Sequence, residues 1–309
     1  MPSYVCIADV LLAKVKFMSE QELNNQLSLL IQLLDDPDLQ VFQQVKDQIM
    51  SIGPESVEKL EQAWFEVDDS LRRTRIEELV QSLQSKTVRN DLQKWVNSGG
   101  ADLLKGFIIV TRFQYPNLDE NKLLKALKKI IQSIWVEMNE NHTSLEKIKI
   151  LNHLLFGTFG FNCETVKNRS IDHFFLNNLL ETKTGNIISL GILYLIIGER
   201  LELPLKGIDL PHNFICGFTH YPSEFNNDYK PLHEVKFFIN PAMKGSIFTR
   251  KEIMLYLEKI DLQPEDKYFS PINHIRVLSG WITQLSAAFQ QKGMEKKARD
   301  LENLADFLL

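Results

Sequence analysis

This chain has few cysteines, no long apolar run and no basic excess, and each absence excludes a class of protein. Only three of its 309 residues are cysteine (Cys6, Cys163 and Cys216), without CxxC spacing. That usage predicts a reducing, cytoplasmic location and no disulfide framework. The apolar block from Ile187 to Ile197 is about 11 residues long, whereas a membrane-spanning helix needs about 20, so no membrane association is expected.

The charge pattern and the known phosphate and metal motifs also exclude functions. The formal net charge of −5 provides no basic field for a phosphate backbone, so no nucleic-acid partner is expected. No P-loop or GxGxxG motif occurs, and the histidines lack HxH, HxxxH or mixed His/Cys spacing. The sequence therefore predicts no cofactor and no metal site. The first residues show no basic segment followed by an apolar block, so no signal peptide is expected either.

Helical periodicity dominates the first half of the chain. Apolar residues recur at helical spacing from Leu23 to Leu34 and again from Leu39 to Ile49. Asp-Asp breaks at Asp35 and Asp68 lie 33 residues apart, a spacing typical of helical repeats. Two units do not distinguish a HEAT-like repeat from an irregular helical bundle, and both remain open.

The pattern changes after Pro204. Short β-branched and aromatic runs at 205–218 and 235–239 predict strands, and helical spacing returns at 275–291 and 296–309. We therefore predict an α+β fold: a helical and possibly HEAT-like region at 1–100, a core with a small antiparallel sheet at 101–262, and a C-terminal helical hairpin at 263–309.

An ordered set of residues in the core resembles a known family. The matching positions are Asn177, Leu180, Gly185, Ser189, Leu190, Leu193, Tyr194, Leu195, Arg200, Leu201, Pro204, Pro211, His212, Phe214, Asn240 and Pro241, with Gly160 and Phe161 upstream. Together they resemble the transglutaminase-like core of the SirB1 family. That family's pattern has a Gly-x-x-x-Ser-Leu-x-x-Leu-Tyr-Leu helix, a Pro-Gly-His-Phe strand and an Asp-Pro-Phe strand.

The resemblance implies where catalytic groups would stand. Transglutaminase-like and papain-like enzymes use a thiolate at a helix start, a histidine base on an adjacent strand, and an Asp or Asn that orients the histidine. Those positions correspond to Ile187, His212 and Asn240. Isoleucine carries no nucleophile, so the resemblance implies a degenerate catalytic triad. Asn186, His212 and Asn240 would then line a cleft that binds a ligand.

Three functions follow as hypotheses. The first is a noncatalytic protein-interaction or regulatory module, a pseudoenzyme with a protein partner. The second is a cysteine-type amide hydrolase or acyl transferase that uses His212, Asn240 and a thiol from elsewhere in the chain. Cys216 would lie about 13 Å from His212 along a regular strand, whereas the place of Cys163 stays open. The third is a structural subunit of a complex. The sequence predicts neither the partner's identity nor the oligomeric state.

Overall fold

The computed structural model of the protein describes residues 20–221 and 235–309. Cys6 and His233 lie outside these ranges. Contacts within the chain divide it into two compact units, Met1–Asp91 and Leu92–Leu309. The predicted domain borders near residues 100 and 262 remain predictions, because compactness alone does not define a domain.

The described part of the first unit is helical. Its helices are α1 (Glu20–Gln32), α2 (Leu39–Ile52), α3 (Val57–Glu66) and the first part of α4 (Ser70–Asn97), which continues into the second unit. Asp38 caps α2 by accepting the Gln40 N–H, and Gly53 ends α2 with a φ of 94°. The helices pack around one apolar cluster that includes Leu27, Leu34, Ile49, Leu60, Ile76 and Leu79. Whether these helices form a HEAT-like repeat remains a prediction.

Helices also begin the second unit. They are α5 (Leu103–Thr111), α6 (Glu120–Glu137), α7 (Ser144–Asn152), the short α8 (Leu176–Thr182) and α9 (Ile187–Arg200). Asp119 caps α6 by accepting the Lys122 N–H, and Thr143 forms a capping box with Glu146 at α7. A π-helical turn, His153–Thr158, follows α7 and leads towards the small strand that precedes α8.

Two small sheets lie next to α9. Strands β1 (Asn162–Cys163) and β2 (Thr184–Gly185) pair in parallel just before α9 begins. Strands β3 (Leu205–Leu210), β4 (Asn213–Phe218), β5 (Phe237–Asn240) and β6 (Ser246–Phe248) form an antiparallel sheet in the order 3-4-5-6. The predicted strand runs at 205–218 and 235–239 contain β3, β4 and β5, with residues 211–212 forming a turn between β3 and β4. Strands β1, β2 and β6 were not predicted, because each contains only two or three residues.

One face of the antiparallel sheet packs closely on α9, because two glycines of that helix carry no side chain at the contact. Gly191 lies against the ring of Phe214, and Gly198 lies against Leu205, so close that a Cβ at either glycine would overlap its neighbour. The Tyr194 hydroxyl donates to Asn152 Oδ1 at 2.9 Å, which gives this fully buried phenol a partner. The apolar block of α9 is therefore the centre of the second unit's core.

The opposite face of the sheet packs on α10 (Arg250–Lys259), with Ile208, Ile215, Phe238, Ile253 and Leu257 in one cluster. The chain ends with α11 (His274–Gln291) and α12 (Glu295–Leu308), joined by a turn at Gly293 with a φ of 74°. The Ser286 hydroxyl on α11 donates to the Ala298 carbonyl on α12 at 2.8 Å. The predicted C-terminal helical hairpin is confirmed, and the described chain as a whole is mostly helical with small sheets.

Candidate functional site: the start of the buried helix

The start of α9 is fixed by its own first residues. Asn186 Oδ1 accepts the Ser189 N–H at 2.7 Å, and Ser189 Oγ accepts the Asn186 N–H at 3.0 Å, which completes a capping box. Ile187 is therefore the first helical residue, where unpaired N–H groups and the helix dipole would favour a thiolate. The side chain present is half-buried and apolar.

Ser189 faces inwards and is fully buried. Its hydroxyl donates to the His173 carbonyl at 2.7 Å, and the same carbonyl accepts the Asn186 N–H at 3.1 Å. Ser189 therefore contributes to helix packing through a hydrogen bond to the backbone. These bonds also connect the segment before α8 to the first turn of α9.

His212 does not lie on a strand, which corrects the expected position. Leu210 pairs with Asn213, so Pro211 and His212 form the two-residue turn between β3 and β4. His212 has a φ of 59° and is exposed. That left-handed conformation suits glycine, the second residue of the Pro-Gly-His-Phe pattern. Placed beside the Pro-Gly-His-Phe pattern that the resemblance implies, Pro211-His212-Asn213-Phe214 has His212 at the glycine and Asn213 at the histidine.

Asn213, the first residue of β4, belongs to a network that holds this turn on α10. Its Nδ2 donates to the Tyr256 hydroxyl at 2.9 Å, and that hydroxyl donates to the Pro211 carbonyl at 2.8 Å. An amide cannot act as a general base at neutral pH, since it carries no titratable nitrogen. Asn213 thus has a structural role in the turn between β3 and β4.

Asn240 ends β5, where it pairs with Ser246 of β6. The alternation of side chains along a strand places it on the sheet face of Phe238, which packs on α10, whereas Phe214 on the other face packs on α9. The register opposes Asn240 to Ile215, so His212 is about 10 Å further along the neighbouring strand. No hydrogen bond joins the side chains of His212 and Asn240, both of which the structure describes.

The predicted cleft residues differ sharply in exposure. Asn186 is 4% exposed and Asn240 is 5% exposed, whereas His212 is open to solvent. Within residues 20–221 and 235–309, Asn186 Nδ2 and Asn240 Oδ1 have no hydrogen-bond partner. The two buried amides offer almost no surface to a partner, so His212 alone of the three is directly accessible.

Neither of the described thiols is activated. Cys216 is fully buried on β4, and burial raises the pKa of its thiol far above the ordinary value. Cys163 pairs with Gly185 across β1 and β2, one residue before the cap of α9. Burial, with the nearby Glu164 carboxylate, raises the pKa of the Cys163 thiol to about 11. A catalytic cysteine needs the opposite shift.

A buried histidine and carboxylate lie beside the same helix start. His173 Nδ1 is 2.7 Å from Glu164 Oε2, and His173 is 8% exposed. The Ser170 N–H also donates to Glu164 Oε2, at 3.3 Å. This pair was not predicted from the sequence, because the two residues are nine positions apart in a segment without regular secondary structure and no periodicity connects them. A carboxylate that orients an imidazole is half of a catalytic triad, and it is equally a means of fixing a loop.

Comparison with known proteins identifies the family. The model of the transglutaminase-like superfamily matches residues 121–283, more than half of the chain. The chain belongs to the transglutaminase-like superfamily. The matched region of this transglutaminase-like protein runs from α6 into α11 and contains every site residue discussed above.

Several curated relatives are similar at low identity. The chain is 26% identical to a UPF0162 protein of Xylella fastidiosa (strain Temecula1 / ATCC 700964) over 40% of this chain and 46% of the relative. It is 23% identical to the UPF0162 protein YchA of Escherichia coli (strain K12), over 67% of this chain and 74% of the relative. The chain spans less than half of the Xylella protein's length. No solved structure matches.

Membrane-spanning helices and metal-binding clusters are both absent from the described part of the transglutaminase-like protein. In residues 20–221 and 235–309, no helix combines the length and the apolar character needed to cross a membrane. The same ranges hold no group of three or more His, Cys, Asp or Glu side chains placed to bind a metal ion.

Proposed function

We propose that this protein is a noncatalytic member of the transglutaminase-like superfamily that acts as a protein-interaction or regulatory module. The observation that carries the proposal is Ile187 at the first helical position of α9. The helix dipole and the unpaired backbone N–H groups at that position would stabilise a thiolate. The isoleucine side chain that stands there cannot attack an acyl group.

The neighbouring groups support the same conclusion. The two described thiols have raised pKa values, so they are protonated at neutral pH. Asn213 occupies the position that corresponds to the family's histidine, and Asn240 lies on the sheet face that packs on α10. On this proposal the nucleophile, the base and the orienting group are each replaced or displaced, while α9 keeps a structural role as a buried core helix.

One observation favours the enzyme hypothesis as a second candidate. Cys163 lies beside the cap of α9, and the Glu164–His173 pair is anchored to that cap through the His173 carbonyl. A cysteine-type amide hydrolase or acyl transferase would need a thiol, an imidazole and an orienting carboxylate, and this cluster contains all three residue types. The Cys163 thiol makes no hydrogen bond to the His173 ring, both of which the structure describes.

An acyl-transfer assay separates the two. Wild-type protein, Cys163→Ser and His173→Gln are incubated with a glutamine-containing peptide and a fluorescent primary amine, and released ammonia and amine incorporation are measured. We expect none of the three to exceed the buffer blank, with an active transglutaminase as positive control. A wild-type product that Cys163→Ser abolishes would overturn the noncatalytic proposal.

A capture experiment tests the interaction itself. Wild-type and His212→Ala baits are compared in native lysate, because His212 is the exposed residue of the proposed site and its turn is pinned independently by Tyr256. We expect a reproducible partner that the wild type retains and the variant loses at unchanged thermal stability. Lost stability with unchanged capture would instead favour the purely structural subunit.

A further inference from the structure

A concave site lies away from the start of α9. A pocket of about 530 Å³ opens between the α5–α6 loop, the first turns of α6, and α8. Leu118, Leu123 and Leu180 supply apolar walls, and Ala126 leaves space on the helix side. The pocket size and lining suit one apolar side chain with part of a backbone.

Lysines form a line along α6 beside this pocket. Lys122, Lys125 and Lys129 are exposed and recur at spacings of three and four, which places them on one face of the helix. Lys122 also lines the pocket. None of the three is within ion-pair distance of a carboxylate in the part of the chain that the structure describes. Among the residues that the structure describes, the lysine row thus has no ion-pair partner, on a protein whose net charge is −5.

Lys183, which follows α8, adds a fourth positive charge. Its Nζ donates to the Leu180 carbonyl and lies 4.8 Å from the centre of the Phe161 ring. Burial, and then the positive charge of Lys129, lower the pKa of Lys183. Lys129 and Lys183 thus repel each other across the space between α6 and α8. An anion placed there would relieve the repulsion.

The acidic groups nearby define where a ligand's charges can go. Asp119 accepts the Lys122 N–H as the cap of α6, and Glu120 forms an ion pair with Arg112 at 2.6 Å. Glu181 remains at the pocket edge and would repel a carboxylate there. Ligand carboxylates are therefore directed towards Lys125, Lys129 and Lys183, beyond the apolar pocket.

We propose that the lysine row Lys122, Lys125 and Lys129 on α6, together with Lys183 and the pocket, binds an acidic peptide segment of a partner protein. One apolar side chain of that segment enters the pocket, and its carboxylates follow the lysines along α6. The concave pocket favours a peptide over a flat anionic membrane, which would meet the lysines alone. This inference rests on the proposed interaction function and names the chemistry of the partner.

Binding to defined peptides tests the surface directly. The probe is a short fluorescein-labelled peptide with several glutamates around one central leucine. Matched peptides carry glutamine for glutamate, or glycine for leucine, and phosphatidylglycerol-containing vesicles serve as the membrane probe. The full chain is titrated as wild type, as Lys125→Glu/Lys129→Glu, and as Lys105→Glu/Lys251→Glu. The last variant makes the same charge change at exposed lysines on α5 and α10.

We expect the wild type to bind the glutamate peptide and Lys125→Glu/Lys129→Glu to raise its Kd about tenfold, because two close charge contacts become repulsive. Lys105→Glu/Lys251→Glu should stay within about twofold of the wild type, since distant charges are screened at moderate salt. Ala126→Phe, which fills the pocket, should reduce the preference for leucine over glycine. Thermal unfolding confirms that each variant is folded.

Three results would overturn the inference: equal binding of the glutamine peptide, an equal loss in the control variant, or binding to vesicles without binding to the peptide. If the bait Lys125→Glu/Lys129→Glu still captured the partner of the wild type, this surface would be excluded and the interaction function would stand. A product in the acyl-transfer assay would instead overturn the noncatalytic function and leave the peptide measurement unaffected.

Discussion

Helices α9 and α6 have comparable lengths and opposite surroundings. Of the 14 residues of α9, Ile188 to Gly198 are all buried, whereas the 18 residues of α6 bury only Leu123, Leu127, Ile130 and Ile134. Helix α9 is closed to solvent from Ile188 to Gly198, although Ile187 at its start is half-buried. Helix α6 presents charged side chains and one wall of a pocket to solvent. The core helix and the accessible, charged helix of this unit are thus different elements.

The largest difference in the free energy of unfolding should appear between a methyl group added at a buried helix position and one added at an exposed helix position. Gly191→Ala on α9 forces a Cβ into the Phe214 ring, and we expect a loss of about 2–3 kcal/mol in the free energy of unfolding. Urea denaturation measures it.

Gly280→Ala on α11 is the matched control. That glycine is exposed, and the nearest atom to its added Cβ is Ile188 Cδ1 at 3.9 Å. We expect a gain of about 0.5–1 kcal/mol from helix propensity. Equal effects at the two glycines would show that α9 is less tightly packed than the structure describes.

The thiol of Cys163, beside the start of α9, should react with alkylating reagents more slowly at neutral pH than free cysteine does. With a pKa of about 11, the Cys163 thiol is protonated at neutral pH, and its alkylation rate should rise steadily with pH until about 11. A Cys6→Ser variant leaves Cys163 as the more accessible of the remaining cysteines. Iodoacetamide labelling followed by mass spectrometry gives the profile, with free cysteine, which levels off near 8.5, as reference. A plateau at or below neutral pH would mean that the helix start activates the thiol after all.

A smaller difference is expected between the two helix caps. Asn186→Ala removes the buried capping box of α9 and should lower the free energy of unfolding by about 1–2 kcal/mol. Asp119→Ala removes the exposed cap of α6 and should cost about 0.5–1 kcal/mol. Asn186→Ser, which keeps a capping oxygen, should recover part of the loss. If Asp119→Ala proved the more costly change, burial would not strengthen the α9 cap.

The smallest effect lies in the lysine row. The positive charge of Lys129 disfavours the charged form of Lys183, so Lys129→Gln should raise the pKa of Lys183. Burial remains as the larger cause, and the pKa should stay below its ordinary value. NMR titration of the lysine side chains measures it, with Lys128→Gln as a control on the same helix. No change in the Lys129 variant would place the two ammonium groups too far apart to share an anion.

Much of the fold was predictable because the residues that decide it are close in sequence. The helical spacing from Leu23 to Leu34 predicts α1 and its buried face, and the β-branched and aromatic runs predict β3, β4 and β5. The candidate site was less predictable. A strand was expected through His212, but Pro211 and His212 form a hairpin turn, because the pairing of Leu210 with Asn213 leaves two residues to reverse the chain.

The sequence by itself determined that a helix begins at Ile187, since Asn186 and Ser189 form a cap from residues three apart, and that no nucleophile stands at that first position. Only the tertiary structure decided which groups from distant segments come together. Sheet register sets the face of Asn240, and strand pairing brings Cys163 to the start of α9. Packing of α6 against α8 brings Lys129 near Lys183. The physical reason is that caps and periodic stripes are local interactions, whereas burial, pairing and charge repulsion depend on segments far apart in the chain.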